Sequence, residues 1–171
     1  MDSGTGSAQI RQACERAVAD LRIVIDTVSV TSAGKRRLVR VTVASDVAGL
    51  PDDDHTSVVE PLSLDEVADA SRSVNEALDA ADVMGAAAYT LEVSSPGVGQ
   101  PVVTAEQFRR NVGRLLEVTR RDGSVTKDRL TAAGPHGIHL GSTAGSAMPY
   151  EDIDRAVVQV EFSRPTTGDS P

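Results

Sequence analysis

The chain has 171 residues, 17 Lys and Arg against 25 Asp and Glu, a formal net charge of -8 and an apolar share of 40%. That length suits one ordinary domain or two small ones and excludes a large catalytic barrel, while the apolar share is enough to build a core. The acidic balance has the wrong sign for gripping nucleic acid by its phosphates, and 2% aromatics with no Trp leave few surfaces on which bases could stack.

A basic partner suits this charge better. The only cysteine is Cys14, which excludes a disulfide framework and a cysteine zinc site and points to a reducing compartment. No apolar run reaches the ~20 residues that span a bilayer. Met1 to Ser7 lacks the charged and apolar regions of a signal peptide, so the expectation is a cytoplasmic protein with no membrane association.

Ile10, Ala13, Cys14, Ala17, Val18 and Leu21 recur at three- and four-residue intervals, which predicts a first helix with Ser7 as its cap and Cys14 in its buried stripe. Residues 23–30 predict a strand whose apolar phase slips near Asp26 and Thr27, as at a bulge. After a turn over residues 32–35, Val39, Val41 and Val43 alternate with Arg40 and Thr42, predicting the second arm of a hairpin. Pro51-Asp52-Asp53-Asp54-His55 has the residue types of a divalent-cation site. Consecutive ligands rarely converge on one ion, however, so the segment reads as a solvated acidic loop.

Ser63-x-x-Glu66 is a capping box, and Leu62 and Val67 are spaced for a hydrophobic staple across it. The helix it opens should bury Leu64, Val67, Ala68, Ser71, Val74, Leu78 and Ala81 and leave Asp65, Asp69, Glu76, Asp79 and Asp82 outside. Tyr89, Leu91 and Val93 then alternate with Thr90 and Glu92 as a third strand, with a short fourth near residues 98–103.

Ser94 to Pro101 holds two prolines and two glycines and reads as an interdomain joint, with Gly97 available for a positive φ. Charge divides there as well. Residues 1–101 hold 8 basic and 16 acidic side chains, whereas residues 102–171 hold 9 of each. Beyond the joint come a helical turn over 105–111 and about five short strands, the last with Ala156, Val158, Val160 and Phe162 facing inward, which suggests a small SH3- or Sm-type barrel. His136 and His139 read as turn and strand residues, with Asp128 and Glu151 too remote in sequence to form a motif with them.

The fold class expected is α+β: an N-terminal α-β-β-α-β(-β) sandwich of KH-like topology followed by the barrel. The domains expected are 8–97 and 104–163, joined by a linker over 98–103, with flexible tails at 1–7 and 164–171. No phosphate loop, nucleophile elbow or zinc-protease helix motif occurs, and Ser94 and Ser95 have no His nearby as a base. No catalytic residue, metal ligand or cofactor is assigned.

Leu91-Glu-Val-Ser-Ser-Pro-Gly-Val98, with Pro101 after it, resembles the signature segment of the ribosome maturation factor RimP family. Residues 64–78, 108–113, 148–153 and 155–162 are similar to that family's second helix and terminal barrel. Gly99-Gln100 departs from the Asp-Arg usual there. The resemblance implies a non-enzymatic, monomeric assembly factor for the 30S ribosomal subunit, whose partner is the basic small-subunit ribosomal protein twelve, with a possible secondary contact to 16S rRNA. Ser94, Ser95, Pro96, Gly97, Val98 and Pro101 would be its signature joint, and Asp52, Asp53, Asp54, Asp65, Asp69 and Glu76 its partner-steering carboxylates. Two alternatives stay open at this point. One is a direct RNA-binding module using Lys35-Arg36-Arg37 and Arg109-Arg110, and the other a metal-dependent hydrolase built on residues 52–55.

Overall fold

The structure, a computed structural model, describes residues 3–34, 36–85, 88–141 and 147–161. Lys35, Phe162 and the expected tail over 164–171 lie outside the described residues, as do residues 1–2 of the other expected tail. The chain divides into two compact units, one formed by residues 1–49 and 60–96, the other by 50–59 and 97–171.

The first unit runs α1 (Ser3–Val18), β1 (Ile23–Ala33), β2 (Arg36–Ser45), α2 (Leu64–Ala80) and β3 (Tyr89–Ser94). Helix α1 begins before Ser7, so Ser7 sits within the helix and does not cap it. β1 and β2 form an antiparallel hairpin whose register shifts between Ile25 and Thr27, at the bulge the apolar phase implied. β3 pairs parallel to β2, giving the sheet order β1-β2-β3; parallel pairing needs a crossover, which α2 supplies.

One face of each element converges on a shared core of Ile10, Cys14 and Val18, of Val39, Val41 and Val43, and of Ala70, Val74 and Leu78. Burying a side chain such as Leu78 contributes roughly 1.5–3 kcal/mol. Ser63 caps α2 as expected: its Oγ accepts from the Glu66 amide at 3.2 Å, and the Glu66 carboxylate accepts from the Ser63 amide at 2.8 Å. The buried stripe of α2 is narrower than its apolar spacing suggests. Leu64, the first helical residue, is 89% exposed, and Ala68 and Ala81 are exposed as well, because the buried row is centred on Ala70, Val74 and Leu78.

The second unit contains β4 (Pro101–Val102), α3 (Ala105–Arg110), β5 (Leu115–Arg120), β6 (Val125–Ala133), β7 (Gly137–Leu140), β8 (Met148–Pro149), a 3-10 turn (Tyr150–Asp152) and β9 (Ile153–Val158). The sheet order is β4-β9-β5-β6-β7-β8, and among the described residues no pairing joins its two outer strands. β4 therefore does not extend the first sheet; it pairs with Ala156 and Val157 of β9. The core gathers Phe108, Leu116, Val118, Leu130, Ile138, Leu140 and Ala156, with the Phe108 and Tyr150 rings 5.5 Å apart. Val160 lies past the end of β9 and is half exposed, so the inward row ends at Val158. Gly137 has no substitute: a Cβ there would meet the Met148 carbonyl oxygen at 2.2 Å.

Among the described residues, no helix is long and apolar enough to cross a membrane. Cys14 is fully buried, and burial pushes its thiol up to about 11, so almost no thiolate exists near neutrality. Iodoacetamide at about pH 8 should therefore label Cys14 only after unfolding. Replacing Ser63 with Ala should cost ~1 kcal/mol in urea unfolding, whereas Leu64→Ala should stay within about 0.5 kcal/mol.

Candidate interaction surfaces

Asp52 and Asp53 are exposed, as an acidic loop should be, but the rest of that loop is anchored. Asp54 folds the segment on itself: its Oδ1 accepts from the Thr56 and Ser57 amides at 3.2 and 2.9 Å, and its Oδ2 accepts from the Ser57 hydroxyl. These bonds favour the ionised carboxyl and hold its pKa down to about 2.

Arg109 of α3 reaches into this turn. Its Nε donates to the Asp54 carbonyl at 3.0 Å, and its two terminal nitrogens donate to the Ser57 carbonyl and hydroxyl at 2.6 Å each. The Asp54 carboxylate lies 3.3 Å away, and the Arg109 side chain is only 8% exposed. The Ala133 amide, at the end of β6, donates to the His55 carbonyl at 2.9 Å. Residues 54–57 are thus stitched to α3 and β6, inside the second unit.

That arrangement removes Arg109 from any nucleic-acid surface. α3 has its own capping box, Thr104 with Gln107, which fixes where Arg109 falls on the helix; this signal was present in the sequence. Arg36 and Arg37 are exposed. Among the described residues no group of His, Cys, Asp or Glu side chains is arranged to hold a metal ion, residues 52–55 included.

The other carboxylates lie on α2 of the first unit. Asp65 and Glu76 are exposed, and Asp69 is exposed and paired with Arg72. Asp79 accepts a 2.6 Å hydrogen bond from the Tyr89 hydroxyl, which partial burial, and after it this carboxylate, pushes up to about 12. Between Leu64 and Ala80 five carboxylates stand against one guanidinium, so α2 shows a negative outer side.

Ser94 closes β3, and Ser95, Pro96, Gly97, Val98 and Pro101 are all exposed. The positive φ expected at Gly97 occurs instead at Gly99, at 83°, where the left-handed backbone favours glycine. The Gly99 amide donates to the Val158 carbonyl at 3.2 Å, which aligns the chain for β4. His136 is exposed and His139 half-buried, in the turn before β7 and in β7 itself.

Residues 13–99 match the family described as "RimP N-terminal domain". A protein named "Ribosome maturation factor RimP" from Kineococcus radiotolerans is 39% identical over 158 residues, covering 84% of this chain and 72% of that protein. Another of the same name, from Frankia casuarinae, is 37% identical over 162 residues, covering 85% of this chain but 56% of its relative.

Replacing Arg109 with Met should cost on the order of 2–4 kcal/mol and speed exchange of the Ala133 amide, because the acceptors in the turn lose their donor. Asp54 titrates lower folded than unfolded, so its stabilisation is complete above about pH 4 and disappears as pH falls toward its folded value. Carboxyl NMR should give a midpoint near 2 for Asp54, rising toward 3.8 in Ser57→Ala.

Proposed function

Because the chain belongs to the ribosome maturation factor RimP family, we propose that it serves late assembly of the small (30S) ribosomal subunit. It acts in the cytoplasm as a monomer, binding the immature particle and its basic ribosomal protein twelve, with no cofactor and no chemical step of its own. Kinship over residues 13–99 is the observation that carries this reading.

The charge distribution supports a protein partner. A negative α2 surface attracts a cationic ribosomal protein and repels bare phosphate, so docking is protein to protein within a ribonucleoprotein. Asp52, Asp53, Asp65, Asp69 and Glu76 steer the encounter, and Asp54 maintains the loop that carries the first two. Any secondary contact with 16S rRNA falls to exposed cations such as Arg36 and Arg37. Ser94 to Pro101 forms the joint between a KH-like first domain and an SH3-like barrel. The return of β9 to lie beside β5, after β5 to β8 pair in succession, supports the barrel reading.

Changing Asp52, Asp53, Asp65 and Asp69 to Asn and Glu76 to Gln together should slow association with free small subunits about tenfold at low salt and flatten its salt dependence. An unchanged on-rate at low ionic strength would refute the steering role.

A further inference from the structure

We propose that the outer edge of β3 accepts an extended, Lys- or Arg-rich segment of a partner protein as an added strand. The inference rests on the assembly-factor reading above and specifies how a cationic partner is held.

Among the described residues, β3 ends its sheet, with β2 as its one strand neighbour. Its register with β2 is unbroken from Arg37↔Tyr89 to Thr42↔Ser94, and the Arg37 amide donates to the Ala88 carbonyl at 3.0 Å. In a parallel ladder alternate residues turn their backbone groups toward the neighbour. Counting from Ala88, Thr90, Glu92 and Ser94 serve β2, so the N–H and C=O groups of Tyr89, Leu91 and Val93 face outward. Such a row is a template for another strand.

Three of the usual guards of an edge do not occur in this strand, and its one charge, Glu92, is paired with Arg40. Tyr89–Ser94 contains no Pro, no Lys and no bulge. The opposite edge, β1, is interrupted by its bulge after Ile25, and an Arg11 guanidinium nitrogen donates to the Ile25 carbonyl at 3.1 Å. On the core side of β3, Leu91 and Val93 remain half-buried, while their β2 partners Val39 and Val41 are 0% and 1% exposed. An added strand would complete that burial.

Charge selects the occupant. The bond between the Tyr89 hydroxyl and Asp79 fixes α2 beside the edge strand. Asp65, Asp69, Glu76 and Asp79 recur at three- and four-residue steps with Arg72, which places them in one outward row along the helix. Arg72 is already engaged by Asp69, and Glu92 by Arg40. Asp79 therefore sits at the edge strand, and the net negative charge of α2 draws a cationic segment toward it. RNA has no peptide backbone to continue the ladder, and its phosphates would meet carboxylates.

The test uses the full chain and a peptide of alternating Lys and Val, about twelve residues long, as the probe. Amide exchange followed by NMR should slow at Tyr89, Leu91 and Val93 on binding. Val93→Pro removes one outward N–H, and Leu91→Lys puts a charge on the edge; each should weaken the peptide about tenfold. Unchanged protection of the β2 amides shows that the variants fold. Binding that leaves the three β3 amides unprotected, or protects Thr27 to Ser32 instead, overturns the inference, as does absence of binding. The assembly role is scored separately, by association of the unmodified chain with free small subunits. Loss of that association with the peptide result intact would refute the function and not the edge.

Discussion

Burying the Arg109 guanidinium demands compensation, since a cation taken out of water costs several kcal/mol unless its donors are matched. The match comes from a segment more than 50 positions earlier: two carbonyls, a hydroxyl and a carboxylate, all within residues 54–57. Neither side could be built alone. Without the turn the guanidinium would be buried and unpaired, and without Arg109 the carbonyls would lose their donors. This constraint draws residues 50–59 out of the first unit and into the second. It also separates Asp54, whose charge is used internally, from Asp52 and Asp53, which are left to face solvent.

The same accounting sorts the carboxylates of the described residues. Glu66 is held below its ordinary range by the Ser63 amide and hydroxyl, Asp122 by Ser124, and Glu161 by Arg129. Their negative charge serves caps, turns and strand contacts. Asp52, Asp53, Asp65 and Glu76 have no such partner among the described residues, so their field is available to another molecule. Net charge alone does not make that distinction; the hydrogen-bond geometry does.

Local patterns carried most of the fold. The bulge at Asp26 and Thr27, the hairpin, the Ser63 and Glu66 cap and the alternation in β3 all follow from interactions spanning a few residues, so they are legible in the sequence. What was not legible depends on distant partners or on where an element stops. Leu64 fits the apolar period of α2 but lies at its first position, beyond the reach of the core. Val160 continues the alternation of β9 after pairing has ended. The short strand at Pro101 and Val102 carries no signal that its partner is β9, more than 50 residues on. Residues 52–55 read as solvated because their composition is that of a loop, and nothing in them announces Arg109. At the joint, the positive φ fell to Gly99 because the backbone has to present its amide to Val158.

The central claim is that this chain recognises an incomplete small subunit through protein contacts. Centrifugation of the full chain through a sucrose cushion tests it most directly, with free small subunits, assembled ribosomes and protein-free ribosomal RNA compared side by side. The account predicts that the chain pellets with free subunits, releases as salt rises, and stays in the supernatant with the other two. Equal pelleting with naked RNA, or with fully assembled ribosomes, would contradict it.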